Sequence, residues 1–152
     1  MAEKASISAL MDRVARTAPF HRELAKLGTE EQAVFDHTSL PGAPFVAALC
    51  IRTLPDTARA WVVAPHLRAQ EALAAQLETW GVPHLLFIPE KETALGEEMG
   101  DPELAAERLN ILHRISSGRT GGQTIVLTEN SLNDEVPSPD SMQNQGITLK
   151  TG

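Results

Sequence analysis

Three short runs constrain this chain more than anything else in it: Ala60–Ala64 (AWVVA), His84–Ile88 (HLLFI) and Thr124–Thr128 (TIVLT). A strand with one wet face alternates apolar and polar residues. A run without that alternation suits a strand covered on both faces, as strands of a parallel sheet are. The spacers between the runs have a helical period instead. From Pro65 to Trp80, the residues Ala69, Leu73, Leu77 and Trp80 fall on one stripe, and Gly81 can take the left-handed conformation that ends many helices. After Asp101, a candidate cap with Pro102 and Glu103 in the first turn, Leu104, Ala105, Leu109, Leu112 and Ile115 form a broad apolar face that stops at Ser117-Gly118. Strands alternating with helices predict an α/β fold: a mostly parallel sheet with helices on both faces and right-handed crossovers. In that sheet AWVVA reads as a central strand, and Trp61 and Trp80 both read as core-facing.

The N-terminal third adds two leading helices. Ile7, Leu10, Met11 and Val14 share one helix face, and Phe20, Leu24 and Leu27 repeat the spacing before Gly28. Gln32–Phe35 then reads as a short first strand, and Phe45–Ile51 as a helix with Pro44 in its first turn. The polar stretch 89–100 is long for a simple connection, and the residues after Thr128 are polar and turn-rich.

Composition narrows the class. The 152 residues are 42% hydrophobic and 22% charged, enough for one domain with its own core. The net charge of −7 argues against sequence-independent DNA binding, which rests on clustered Lys and Arg. Cys50 is the lone cysteine, so no internal disulfide can form; its apolar flanks predict a buried, unreactive thiol, and a reducing cytoplasmic setting fits. No apolar run nears the ~18 residues of a membrane span, so no membrane partner is expected.

A strand–loop–helix junction at residues 37–44 is where nucleotide-binding proteins place a phosphate loop, G-x-x-x-x-G-K-[ST]. With Gly42 as the second glycine, His37 stands in the first glycine's place, Ala43 in the lysine's and Pro44 in the hydroxyl's. Pro41 and Pro44 also remove two N–H donors from a loop whose task is to supply them. The lost lysine contact alone, at ~1.5–3 kcal/mol, weakens binding roughly ten- to a hundred-fold. The expectation is a plain turn with no nucleotide or magnesium cofactor.

Other constellations have ordinary readings. His21, His37, His66, His84 and His113 are scattered without metal-ligand spacing. Asp36-His37-Thr38-Ser39 holds the residue types of a hydrolytic triad, but sequence neighbours rarely converge into one, and G-x-S-x-G is absent. Glu90, Glu92, Glu97 and Glu98 read as a solvated acidic loop. A phosphoacceptor domain of flavodoxin type is disfavoured, because Pro65 and His66 follow AWVVA where an acid would be needed. No catalytic residue and no metal site is expected.

The ordered segments SLPGAPFVAAL, AWVVAPHLRAQEALAAQL, IPEKET, DPELAAERLNILHRISSG, TIVLTENSLNDEVPSP and ITLKTG together resemble the N-terminal region of bacterial transcription-repair coupling factors, from about Val34 to Gly152. The order and spacing of the segments carry the likeness more than any one motif, most specifically Glu92-Thr93 after an apolar strand, then Arg108-Leu109 and Leu112. That family shares this region with the helicase of nucleotide excision repair, whose phosphate loop is complete; the missing Gly-Lys-Thr favours the coupling factors. Two departures stand out: the 90–100 stretch lacks the family's usual aromatic residues, and Asn133-Asp134 stands where a basic residue is common.

The resemblance implies a degenerate RecA-like, P-loop NTPase-like half-domain over 31–136, after a helical lead-in at 1–30 and before an exit segment at 137–152 that leads toward a partner-binding domain. On that view the chain is an expressed fragment or a truncated gene product. The resemblance further implies that the fragment is no enzyme, while its parent is a DNA translocase that displaces stalled RNA polymerase and recruits UvrA for nucleotide excision repair, with ATP and magnesium bound by a motor far downstream. The alternative is a stand-alone small α/β nucleotide-dependent enzyme or regulator. A sheet normally completed by later parts of the chain would leave an edge or an apolar face uncovered, and self-association is then expected.

Overall fold

The central strand is Thr124–Thr128, not the one the apolar runs suggest. The computed structural model describes residues 2–27, 29, 32–89, 102–118, 123–138 and 140–142. Its elements run α1 (Ala2–Ala15), α2 (Ala18–Leu24), a single 3-10 turn (Leu40–Gly42), α3 (Ala43–Thr53), β1 (Ala60–Ala64), α4 (Leu67–Thr79), β2 (His84–Phe87), α5 (Pro102–Ser116), β3 (Thr124–Thr128) and α6 (Glu129–Leu132). The three strands form one parallel sheet in the order β1-β3-β2, with Ala60 and His84 both aligned to Thr124. The α/β class and the parallel sheet stand as expected from the apolar runs.

Helices cover both faces, unequally. On one face Met11, Leu24, Ala48, Leu49, Leu77, Val82 and Val126 form a continuous cluster, so α1 and α2 share the core of α3, α4 and the sheet. Trp80 belongs to this layer and meets Phe45 edge-on, with ring centroids 4.8 Å apart. On the other face α5 presses Ile111, Leu112 and Ile115 onto Leu85, Phe87, Ile125 and Leu127. No β1 residue joins that second cluster. The reason is width: strands lie ~4.8 Å apart and a helix is about 10 Å across, so one helix roughly covers two strands.

Five expectations are corrected here. β1 is an edge strand rather than a central one, and Trp61 is 47% exposed on the face that α5 leaves bare. Gln32–Phe35 forms no strand; Phe35 instead packs on Phe20, centroids 5.6 Å apart, at the rim of the first cluster. Leu109 is 49% exposed, and the covered stripe of α5 runs through Leu104, Arg108, Ile111, Leu112 and Ile115. Leu10 also points outward, while Met11 is buried.

Helix ends follow local chemistry. His66 caps α4, its Nδ1 accepting from the Ala69 N–H at 3.1 Å. Gly81, at φ +73°, closes the same helix, and the Val82 N–H reaches back to the Leu77 carbonyl at 2.9 Å. Among the described residues no helix is long and apolar enough to cross a membrane. Asp101, Glu90, Glu92, Thr93, Glu97, Glu98 and the ITLKTG segment lie outside the described residues.

Candidate functional site

The α3 entrance is the first place to look for ligand chemistry, because a helix N-terminus presents unsatisfied N–H groups. Here two of the amides at the entrance are already engaged. The Ser39 carbonyl accepts from both the Gly42 N–H at 2.8 Å and the Ala43 N–H at 3.1 Å, closing the 3-10 turn on itself. Pro41 and Pro44 have no N–H to give. Pro44 is buried against the core, whereas a magnesium-binding hydroxyl would have to face the ligand. Gly42 leaves little room above it: a Cβ there would meet the Ser39 hydroxyl at 3.2 Å and the Thr38 methyl at 3.6 Å.

His37 has φ 61°, a left-handed conformation that glycine adopts at little cost and histidine rarely does. The position of a phosphate loop's first glycine thus keeps a glycine-like backbone while carrying an exposed imidazole. Thr38 Oγ1 donates to the Phe35 carbonyl at 2.9 Å, a local turn contact. Among the described residues no side-chain hydrogen bond joins His37 to Asp36 or Ser39, so the four consecutive polar residues form no relay.

Beside the turn lies a groove of about 410 Å³, lined by Phe20, Arg22, Glu23, Lys26, Phe35 and Asp36 among others. Its size suits a small ligand. Its charge does not suit a phosphate: Lys26 Nζ is held 2.8 Å from Glu23 Oε2, and Asp36 adds a second acid. The Lys26 ammonium and the Val34 N–H, which donates to Oε2 at 3.1 Å, hold the Glu23 carboxyl below the usual carboxylate range.

A second concentration of polar groups sits at the C-terminal ends of β2 and β3, the usual ligand side of an open parallel sheet. Gln70, wholly buried on α4, donates from Nε2 to the Phe87 carbonyl and to the Val126 carbonyl, both at 2.9 Å. Arg108 Nη1 donates to the Ile88 carbonyl at 2.7 Å and lies 3.1 Å from Asp134 Oδ2. The same guanidinium stacks 4.3 Å from the centre of the Phe87 ring. Thr128 caps α6 by accepting from the Ser131 N–H at 3.2 Å, and the Ser131 hydroxyl reaches the Phe87 carbonyl at 3.4 Å.

These contacts are structural in kind. They turn donors inward onto backbone carbonyls and fasten α4, α5 and the segment after β3 to the strand ends. Among the described residues, no nucleophile, base and orienting acid are brought within reach of one another there. Gln70, Ser131 and Asp134 carry no motif that marks them in the sequence as site residues, and Arg108 stands out only through its place in a resemblance.

The remaining candidates stay apart. His66 caps a helix, His84 Nδ1 lies 3.0 Å from the Val82 carbonyl, and among the described residues no three of His, Cys, Asp and Glu gather closely enough to hold a metal. Cys50 is half-buried on α3, and burial pushes its thiol pKa up. Comparison with family models, with curated proteins and with solved structures gives no match.

Proposed function

We propose that this chain is an architectural module without catalysis: a degenerate RecA-like half-domain of a transcription-repair coupling factor. One observation carries the non-catalytic part. The amides of Gly42 and Ala43, which would cradle a phosphate, are both spent on the Ser39 carbonyl, and the flanking prolines supply none. A triphosphate would have to break that turn and would find neither lysine nor magnesium-binding hydroxyl in return.

The coupling-factor part rests on the ordered sequence resemblance and on its compatibility with a parallel α/β sheet. In this reading the module's work is geometric: it positions a partner-binding domain that recruits UvrA, while ATP and magnesium belong to a downstream motor that acts on DNA and RNA polymerase. The module itself carries net charge −7 and does not grip DNA. The reading frame beyond the Gly152 codon tests this part. A polymerase-binding module and a helicase motor there support it, and an unrelated domain contradicts it. Saturable ATP binding by the chain would instead favour a small nucleotide-dependent enzyme or regulator.

A further inference from the structure

Among the described residues β1 is bonded on one side, to β3. The Ala60 N–H donates to the Gln123 carbonyl at 3.2 Å, and the register aligns Ala60, Val62 and Ala64 with Thr124, Val126 and Thr128. In a parallel ladder the residues bonding to a given neighbour alternate. Ala60, Val62 and Ala64 therefore turn their backbone groups toward β3, and Trp61 and Val63 turn theirs toward the open side. Among the described residues no backbone hydrogen bond outside the sheet engages Trp61 or Val63.

The same two residues carry the exposed side chains of the strand, Trp61 at 47% and Val63 at 48%. They continue, in register, the row of Ile125 and Leu127 that α5 buries. Free backbone groups and uncovered apolar area thus coincide. At the opposite edge, just beyond β2, the Ile88 carbonyl accepts from Arg108.

We propose that β1 is an interface for a second copy of this chain, paired antiparallel edge to edge about a two-fold axis through Val62. Trp61 then faces Val63 of the second copy and Val63 faces its Trp61, each pair exchanging N–H and C=O bonds. The two Val62 residues form the non-bonded pair between them. This is the alternation an antiparallel ladder requires, and the free groups of the strand complete it without remainder. Each bonded pair sets an aromatic side chain beside a β-branched one, a favourable cross-strand combination.

Charge supports a second copy over an unrelated strand. β1 itself is uncharged; Asp56 lies four residues before it and Arg68 four residues after it. Arg59, next to the strand, has its Nε buried. The two-fold axis through Val62 sets the end of β1 that follows the Asp56 turn beside the end of the other copy's β1 that leads to Arg68, so opposite charges flank each end of the seam. An isologous interface needs this kind of self-complementarity. The inference rests on the sheet alone and stands whether or not the coupling-factor reading does.

Sedimentation of the 152-residue chain over a concentration series tests it. A monomer–dimer equilibrium is expected. Val63→Pro removes only an outward N–H, a change tolerated at a sheet edge, and should weaken the dimer at least roughly tenfold. Trp61→Lys/Val63→Lys keeps every backbone group and should do the same, so the test survives if the proline variant fails to fold by circular dichroism. Leu40→Ser, at an exposed leucine far from the strand in sequence, should leave association unchanged. A monomer at every concentration overturns the proposal. So does a dimer that ignores both β1 changes, or one that is lost with Leu40→Ser.

Discussion

Arg108 Nη1 lies 3.1 Å from Asp134 Oδ2, and the two side chains are 10% and 9% exposed. This pair joins the helix crossing one sheet face to the segment that leaves the central strand. Breaking a buried pair strands a charge, whereas replacing both partners with apolar groups of similar volume is often tolerated. Asp134→Ala should therefore cost about 3 kcal/mol or more, and Arg108→Met/Asp134→Leu should recover most of it. Urea denaturation of the three proteins decides this: similar midpoints for wild type and Asp134→Ala would show that the pair contributes little.

The two tryptophans should report opposite environments. Trp61 lies on the bare face of β1, and Trp80 packs on Phe45 in the first core cluster. In Trp80→Phe the remaining emission should be red-shifted and readily quenched by acrylamide; in Trp61→Phe it should be blue-shifted and protected. Equal quenching in the two variants would contradict the edge placement of β1.

What the sequence shows plainly and what it hides divide along one physical line. Features set by neighbours in sequence are legible: the Gly81 helix stop, the α4 stripe of Leu73, Leu77 and Trp80, and the unbroken burial of TIVLT in β3. Features set by distant partners are not. AWVVA reads like TIVLT because apolarity along a strand does not say which neighbours lie beside it, so an edge strand looks central. Gln32–Phe35 has strand-like composition but no neighbouring strand to complete a ladder, and Phe35 finds Phe20 instead. At the candidate site, Ala43 and Pro44 show in the sequence that the residues of a phosphate loop are not there, while the Ser39 carbonyl that consumes the amides is visible only in three dimensions.

Two titrating groups give opposite pH behaviour. Burial raises the Cys50 pKa, so the folded state holds that proton more tightly than the unfolded chain; the contribution is complete below the ordinary thiol pKa and is lost as pH rises through the raised value. The Glu23 pKa is lowered by Lys26 and Val34, so its contribution is present above the ordinary carboxylate pKa and is lost as pH falls through the lowered value. Cys50→Ala should flatten the alkaline limb of a stability–pH curve, and Glu23→Gln the acid limb. Cys50 alkylation should also be slower at neutral pH than that of a free thiol.

Restoring the motif letters should not restore chemistry. In His37→Gly/Ala43→Lys/Pro44→Thr the Ser39 carbonyl still competes for the loop amides. Phosphate release from ATP should stay at the background rate in a coupled assay, and measurable turnover would refute this.

The most direct test of a module without nucleotide chemistry is calorimetric titration of the wild-type chain with ATP and magnesium. A site with a Kd of about 1 mM corresponds to about −4.1 kcal/mol of binding free energy, so titration into the millimolar range reaches even a weak site. The account predicts no saturable heat up to millimolar ATP. A saturable isotherm in the micromolar range, abolished by substitution in the 37–44 turn, would contradict it.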